Sequence, residues 1–258
     1  MNITVFVVSH KPYWMPKDPV YQPIQVGPLN RNPLVGFLQD TTGDSIAKKN
    51  SSYCELTALY WVWKNFKNND DYIGFCHYRR YFGKKSLLSL GGSRKRAIFT
   101  NQELDSLLAG IDVLLPKKRH YYIETIETQY GHAHNLKDLY ITRDIIIEKY
   151  PHYIDSFDQY MRKRSGHICN MFIMRKQLFY RYSEWLFSIL REAESRISII
   201  RYDDYQRRVF GFLGERLLNV WLGQQNACIR EVPVVELEPV SYVKKGLNFI
   251  ERKFTHNF

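Results

Sequence analysis

A short apolar run that ends in histidine, tyrosine and arginine is the stretch of this sequence best suited to bind a ligand. Residues 72–76 are apolar and few enough for a buried strand, and His77, Tyr78, Arg79 and Arg80 follow directly. Ligands of α/β proteins bind where strands leave the sheet at their carboxyl ends. We therefore predict that these four side chains contact a ligand, with ion pairing at the edge of the sheet as the alternative for the arginines.

Two further apolar runs also end in polar or cationic residues. Residues 3–8 are typical of a first buried strand, and Ser9, His10 and Lys11 follow them. Residues 112–116 are typical of another strand and precede three basic residues and a histidine. Because parallel strands end at one edge of a sheet, these tips predict a cationic site with room for an anionic ligand.

Carboxylates that could accept a proton lie in turns near glycine. Glu215 follows Gly211 and Gly214, which we predict to open a helix that runs through about residue 222. The alternative carboxylates are Asp44, Asp203 and Asp204. Cations can neutralise a leaving diphosphate while one carboxylate accepts the proton of a hydroxyl. The sequence therefore suits transfer from a diphosphate-bearing donor to a hydroxyl acceptor.

Three polar residues have two interpretations each. His132 and His134 have a spacing that could hold a metal ion, but no third ligand accompanies them, and ordinary polar-loop or substrate contacts are the other interpretation. Asn170 lies inside the apolar run 168–174, which we predict to be a strand. Its amide either satisfies a backbone group in the core or faces a ligand.

Two Ser/Thr-x-x-Glu spacings predict helix starts that position these tips. Ser52 and Glu55 predict a capping box that opens a helix through about residue 66, immediately before the strand at 72–76. Thr100 and Glu103 predict a second box, with Gly110 ending that helix. The remaining predicted helices span residues 136–150, 153–164 and 182–196, the last strand spans 229–235, and residues 12–39 form a long loop rich in proline. The alternation predicts one α/β domain around a mostly parallel sheet, with a helical last third.

Composition narrows the class of protein. The chain has 258 residues, 45% of them hydrophobic and 24% charged, which is typical of a globular domain. Its net charge of +11 favours nucleic acid, anionic lipid or phosphorylated small molecules as partners. Four widely spaced cysteines and the lack of a basic leader predict a reduced, intracellular protein. The glycine-rich nucleotide loops and the serine-hydrolase elbow are absent, which argues against those enzyme classes.

Several segments together resemble a bacterial glycosyltransferase family long catalogued as a domain of unknown function and found in capsular and exopolysaccharide gene clusters. The segments that carry the resemblance are residues 9–11, 21–27, 49–57, 76–82, 170–174, 208–211 and 215–217. The resemblance implies a GT-A-like, Rossmann-like fold. It also implies transfer of a sugar, often galactose in pyranose or furanose form, from a nucleotide-diphosphate donor, with UDP as the expected nucleotide.

The resemblance also implies roles for individual residues. Donor contacts are expected from Ser9, His10, Lys11, His77, Tyr78, Arg79, Arg80 and Asn170, and acceptor contacts from His132, His134, Arg208 and Arg216. Glu215 resembles the acidic residue at a helix start that serves as base in inverting members, with capping and pairing to Arg216 as the alternative. Many GT-A enzymes hold a metal with Asp-x-Asp, which is missing here. We assign no metal ligand, and a divalent cation, Mn or Mg, stays open as a cofactor.

The predicted organisation is a single glycosyltransferase domain with residues 1–120 binding the donor, 121–240 the acceptor, and 241–258 forming an amphipathic basic tail. The tail either docks on the domain or lies on an anionic bilayer. We expect a protein at the cytoplasmic face of the plasma membrane that uses a lipid-linked oligosaccharide acceptor and no nucleic acid. A glycan- or nucleic-acid-binding protein without catalytic activity is the alternative; it would explain the charge and the 19 tyrosines without a catalytic base.

Overall fold

A nine-stranded, mostly parallel sheet forms the centre of the computed structural model, which describes residues 1–85 and 92–238. Its strands are β1 (Ile3–Ser9), β2 (Tyr21–Gln25), β3 (Leu38–Gln39), β4 (Tyr72–His77), β5 (Arg80–Phe82), β6 (Val113–Pro116), β9 (Phe172–Arg175), β10 (Ile229–Val232) and β11 (Val234–Glu236), and a separate hairpin pairs β7 (Arg119–His120) with β8 (Ser165–Gly166). The order β10-β6-β9-β4-β1-β2-β3 has β9 antiparallel to both neighbours. Strands β4 and β6 therefore point the same way.

Helices cover the two faces of this sheet. They are α1 (Asn50–Tyr53), α2 (Leu56–Asn65), α3 (Gly92–Arg96), α4 (Asn101–Leu108), α5 (Ile126–Ala133), α6 (Leu136–Lys149), α7 (Ile154–Met161), α8 (Lys176–Arg196) and α9 (Val209–Leu222). Side chains of β1 alternate between two cores, with Phe6 and Val8 in the larger and Val5 and Val7 in the smaller. Burial on both faces explains why β1 reads as a continuous apolar run. None of the helices in the described ranges is both long and apolar enough to cross a bilayer.

The fold class and several predicted elements are confirmed. Strands β1, β4 and β6 lie where the apolar runs predicted them, and α6 matches its predicted range. The second capping box also forms, since Thr100 N donates to Glu103 Oε2 at 2.9 Å and Glu103 N donates to Thr100 Oγ1 at 3.4 Å. Gly110 follows this helix with a φ of +70°, which glycine adopts without a steric penalty.

Residues 12–39 were predicted to be a loop, and that prediction is wrong because the segment contains β2 and β3. Strand β2 pairs with β1 from Tyr21 to Gln25, and β3 extends the sheet by pairing with Ile24 and Gln25 only. Pro23 therefore lies in the part of β2 that β3 does not reach, where a missing N–H is tolerated. The proline and the mixed polarity of this strand hid it from sequence reasoning.

Other predicted boundaries are corrected by the structure. Helix α8 begins at Lys176 rather than 182, and the last strand divides at Pro233 into β10 and β11. Strand β9 begins only at Phe172, because Cys169 and Asn170 have positive φ angles of +75° and +47° that no strand contains. The predicted helix 52–66 is two helices, separated at Cys54 with a φ of +53°.

Candidate active site

An open cleft of about 530 Å³ lies at the edge of the sheet where β1 and β4 end. The opposite wall comes from α1, the turn before α9, and α9 itself. The predicted site residues that line the cleft are Ser9, His10, His77, Tyr78, Arg79, Arg80, Arg208 and Glu215. Glu55 and Cys54, which the sequence did not single out as site residues, line it as well.

Parallel pairing of β1 and β4 brings the two predicted polar tips together. Val8 pairs with His77 in the register of the two strands, and the Tyr78 amide donates to the Val8 carbonyl at 3.1 Å. The Tyr78 ring then packs edge-on against His10, with 5.4 Å between ring centroids. Lys11 lies on the same tip, with Nζ 5.5 Å from the Tyr78 ring centroid. Two segments far apart in the sequence thus form one surface.

Three basic side chains lie close to His10 in this part of the cleft. Burial lowers the pKa of His10, and the charges of Lys11, Arg79 and Arg208 lower it further. The imidazole is therefore neutral at physiological pH, and it can donate or accept a hydrogen bond without adding charge. An anionic ligand entering the cleft meets these cations.

Arg79 and Arg80 are paired with carboxylates at the adjoining edge of the sheet. Arg79 Nη1 lies 2.9 Å from Glu238 Oε2, and Arg80 Nε lies 3.5 Å from Glu236 Oε1. The side chains stay 45% and 34% exposed, so each ion pair is weak and can exchange partners. The ion pairs foreseen as the alternative are present, and both arginines also face the cleft.

Arg208 faces the cleft from the turn before α9. Its Nε donates to the sulfur of Cys54 at 3.1 Å, and burial raises the pKa of that thiol to about 11, so the sulfur is uncharged at neutral pH. In the described part of the chain, no carboxylate lies within ion-pairing distance of Arg208. Its guanidinium therefore keeps its charge available to an anionic ligand.

Glu215 lies on α9 with both carboxylate oxygens hydrogen-bonded. The Cys169 amide donates to Oε1 at 3.1 Å, and Arg216 Nη1 donates to Oε2 at 3.0 Å. The helix begins at Val209, so Glu215 is not at a helix start; the expected cap is wrong, whereas the expected pairing with Arg216 is present. Burial raises the pKa of Glu215, while Arg216 opposes the shift.

Glu55 is the functional candidate that sequence reasoning missed. The expected capping box is wrong: the Ser52 hydroxyl donates to the Lys49 carbonyl at 3.1 Å, and the Glu55 side chain makes no cap. Glu55 Oε1 accepts a 2.8 Å hydrogen bond from Asn170 Nδ2, and its other oxygen has no partner among the described residues. Asn170 therefore faces the site and also reaches the Gly211 carbonyl at 3.3 Å.

A tight turn and two helical glycines hold these carboxylates in place. The His77 imidazole donates a 2.5 Å hydrogen bond from Nε2 to the Cys169 carbonyl. A Cβ on Gly214 would lie 2.8 Å from Leu56 Cδ1, and one on Gly211 would lie 3.3 Å from the Cys54 sulfur. The glycines thus let α9 approach the α1–α2 junction. Cys169 and Asn170 in the tight turn have positive φ angles, and backbone strain of this kind concentrates at functional sites.

The remaining predicted site residues do not line the cleft. Arg216 is buried behind Glu215 and donates to Gln129 Oε1 at 2.9 Å. His134 stacks on Phe212 with 3.9 Å between ring centroids. The His132 side chain is exposed, and its Nδ1 lies 2.6 Å from Glu124 Oε1. Arg216 can therefore position Glu215, and the two histidines lie beyond the cleft wall.

The end of β4 does not carry the ligands that a divalent metal needs. The end of β4 carries His77 and three neighbours that are aromatic or cationic, where a metal site would need carboxylates. Across residues 1–85 and 92–238, no group of three or more His, Cys, Asp or Glu side chains is arranged to hold a metal ion.

The sheet order and the cleft define a GT-A-like glycosyltransferase fold. The apo structure of WbbM, a bifunctional glycosyltransferase, matches with a TM-score of 0.81 and 30% identity over 93% of this chain. This chain spans 46% of the WbbM chain. The mannosyltransferase Ktr4p from S. cerevisiae is 13% identical and matches 80% of this chain and 56% of its own, and its TM-score of 0.29 supports no inference.

The family follows from the sequence match. Residues 4–226 match the family described as Domain of unknown function (DUF4422), and the chain belongs to it. The predicted resemblance to a bacterial glycosyltransferase family first catalogued by an unknown function is thereby confirmed. No curated protein matches the sequence.

Proposed function

We propose that this protein is a glycosyltransferase that moves a hexose from a nucleotide-diphosphate donor to a hydroxyl of a growing surface polysaccharide. Galactose, as pyranose or furanose, is the proposed sugar and UDP the proposed nucleotide. The observation that carries the proposal is a cleft where two carboxylates, Glu55 and Glu215, face a cluster of cations, on a scaffold similar to that of a bifunctional glycosyltransferase.

The proposed reaction is an inverting displacement. The acceptor oxygen forms a bond to the anomeric carbon while the bond from that carbon to the diphosphate oxygen breaks, and the electron pair leaves with the diphosphate. Arg79, Arg80 and Arg208 balance the charge of the leaving group, as guanidinium groups do for phosphate oxygens. Glu215 accepts the proton of the acceptor hydroxyl, and a pKa raised by burial makes it a stronger base than an exposed glutamate.

Glu55 has a distinct proposed role. Its Oε1 is oriented by Asn170, and a carboxylate oxygen without a partner among the described residues is suited to accept a hydrogen bond from a sugar hydroxyl. Ser9, His10, Lys11, His77 and Tyr78 form the donor side of the same surface. We therefore propose that Glu55 positions a sugar, while Glu215 transfers the proton.

The proposed setting is the cytoplasmic face of the membrane, where a lipid-linked oligosaccharide would be the acceptor. The basic, amphipathic segment 241–258 is proposed to bind anionic lipid there; it lies outside the described residues.

Arg208 would contact the acceptor or the donor phosphates from the cleft. His132 and His134 are proposed to contact the part of a long acceptor that extends beyond the cleft wall.

A donor screen tests the proposal directly. The purified chain is incubated with UDP-, GDP- and CMP-sugars, with and without a soluble acceptor, in the presence and absence of EDTA. We expect release of one nucleotide diphosphate that the acceptor stimulates, and a product whose anomeric configuration, read by NMR, is inverted. Glycan binding without donor turnover would instead show a lectin, and salt-sensitive binding of DNA or RNA would show a nucleic-acid-binding protein.

A further inference from the structure

Tyr122 and Ile123 form an apolar tip that projects from the protein. Their side chains are 82% and 70% exposed, and they are adjacent in the chain. Tyr122 has a φ of +54°, a conformation that is uncommon for a bulky residue. The two adjacent side chains form a small exposed apolar patch, and apolar patches rimmed by polar residues are typical of interaction sites.

The tip is held by hydrogen bonds at its base. The Tyr121 amide donates to the Arg164 carbonyl at 2.9 Å, and the Ile126 amide donates to the Lys163 carbonyl at 2.8 Å. Arg164 Nη1 also donates to the Tyr122 carbonyl at 3.3 Å. Strands β7 and β8 continue this pairing away from the tip. The exposed pair is thus presented on an ordered support.

Basic side chains lie on the two paired segments that carry and support the apolar tip. The exposed ones from the two paired segments are Lys117, Lys118, Arg119, Arg162, Lys163 and Arg164. Lys118 pairs with Glu231 at 3.1 Å, and Glu124, the acidic residue of these segments, contacts His132. The surface therefore combines an apolar wedge with a strong excess of positive charge.

The tip follows a strand that ends on the same side of the sheet as the cleft. Strands β4 and β6 are both antiparallel to β9, so their carboxyl ends, at His77 and Pro116, point to one side. The chain leaves β6 at that side and reaches the tip a few residues later. The tip is therefore connected to the strand end that lies on the same side of the sheet as the end of β4.

We propose that the Tyr122–Ile123 tip and its surrounding lysines and arginines dock on an anionic lipid bilayer. The apolar pair enters the boundary between headgroups and acyl chains, while the basic side chains contact anionic headgroups. Amphipathic rings and aliphatic side chains flanked by cations are the composition that binds such a boundary. The proposal deepens the function proposed above, on which it rests, because it places the cleft where a lipid-linked acceptor is presented.

The test measures flotation of the full chain with vesicles of phosphatidylcholine and phosphatidylglycerol, and with vesicles of phosphatidylcholine alone. The double variant Tyr122→Asp/Ile123→Asp removes the apolar wedge, and aspartate tolerates the positive φ at 122 better than most residues. We expect binding to anionic vesicles to weaken roughly tenfold or more. Val35→Asp and Ile200→Asp are matched controls at positions 99% and 86% exposed, and we expect them to bind normally.

A second pair of variants tests the charge. Replacing Lys117 or Lys163 by Gln should weaken binding about fivefold each and reduce its dependence on salt. Lys67→Gln is the control, because Lys67 precedes β4 and lies toward the opposite edge of the sheet. Unchanged flotation of the Tyr122/Ile123 variant, or equal binding to neutral vesicles, would overturn the proposal.

Turnover with a soluble acceptor separates this proposal from the proposed function. The tip variants should release nucleotide from the donor at the wild-type rate, since no tip residue lines the cleft. If the wild-type chain showed no turnover but floated with anionic vesicles in a tip-dependent way, the docking surface would stand and the assigned reaction would fall.

Discussion

Glu55 and Glu215, two of the three carboxylate residues that line the cleft, differ in what holds them. Glu215 receives hydrogen bonds on both oxygens, from a backbone amide and from Arg216, and burial raises its pKa. Glu55 receives a hydrogen bond on one oxygen, from Asn170. Different surroundings of two acids in one site are the usual way in which proteins divide proton transfer from substrate binding. This division gives separate predictions for the two residues.

Glu215→Gln preserves size and removes basicity. We expect turnover to fall roughly 10²-fold or more, with donor affinity little changed, because only the proton acceptor is lost. Because burial raises the pKa of Glu215, the wild-type rate should increase with pH through an inflection above the ordinary glutamate value of about 4.3. The variant should lack that inflection in a pH profile of kcat/KM. Near-normal turnover would move the role to Asp203 or Asp204, or indicate a retaining mechanism.

Glu55→Gln should act on binding more than on proton transfer. An amide in place of the carboxylate loses a charge-assisted hydrogen bond to a sugar hydroxyl and disturbs the contact with Asn170. We expect KM for donor or acceptor to rise about tenfold while the pH inflection stays. Glu184→Gln, at an exposed position of α8, is the matched control. A Glu55 variant with wild-type KM would show that its carboxylate only supports the turn at Asn170.

Arg79→Ala and Arg80→Ala test the contact with the diphosphate. We expect donor affinity to fall sharply while the melting temperature hardly changes, because each side chain has an exposed ion pair of little stabilising value. Isothermal titration with the nucleotide and a thermal melt measure the two effects. Arg175→Ala removes a comparably exposed arginine paired with Asp112 at the end of β9 and should leave nucleotide affinity intact. A large loss of stability with unchanged affinity would make the arginines structural.

At the scale of elements, the loop between β2 and β3 depends on one buried ion pair. Arg31 Nη2 lies 2.5 Å from Asp40 Oδ1, and the same guanidinium donates to the carbonyls of Gly27 and Gln25. Asp40 is fully buried and also accepts from the Thr57 hydroxyl at 2.6 Å. The pair thus ties the edge of the sheet to α2, next to the cleft.

Arg31→Met should destabilise the fold by about 3–5 kcal/mol at neutral pH, because it leaves the Asp40 carboxylate buried without its cation. Burial already raises the pKa of Asp40 in the folded state, and loss of Arg31 raises it further. The deficit should therefore shrink as the pH falls toward the ordinary aspartate pKa of about 3.9. Asp40 is then increasingly protonated and uncharged in the folded wild type and in the folded variant alike. Urea unfolding at the two pH values measures this. Addition of Asp40→Asn should restore most of the loss; no restoration would contradict the ion-pair explanation.

At the scale of the whole molecule, the charge of +11 is relevant to where the protein works. Part of it surrounds the Tyr122–Ile123 tip on the edge of the sheet that also holds the cleft. Basic residues of segment 241–258 add to it. A surface charge of this sign attracts the chain to anionic lipid and loses strength with salt.

Removal of residues 243–258 should reduce binding to anionic liposomes while sparing donor hydrolysis, because the apolar positions of that segment are lost and the cleft is retained. Co-sedimentation and nucleotide release measure the two effects on one preparation. Liposome binding equal to that of the intact chain would contradict a membrane role for the tail and assign the interaction to the tip alone.

The sequence alone determined the central strands and the tips they carry. Strands β1, β4 and β6 are buried on both faces, so their apolar runs are unbroken and visible, and the polar residues after β1 and β4 do meet in one cleft. The Thr100–Glu103 cap was also readable, because both partners lie within one turn of helix. The sequence did not predict strand β2, because Pro23 interrupts the apolar pattern of this segment.

Only the tertiary structure decided what each carboxylate contacts. The Ser52–Glu55 spacing fits a capping box, yet the positive φ of Cys54 breaks the helix and turns Glu55 to Asn170, 115 residues away. Arg79 likewise pairs with Glu238, which lies 159 residues further along the chain. Local spacing encodes contacts within a turn, whereas these pairs arise from the order of strands and from the close approach of α9 that Gly211 and Gly214 allow. The same approach buries Glu215 and raises its pKa, which no sequence pattern expresses.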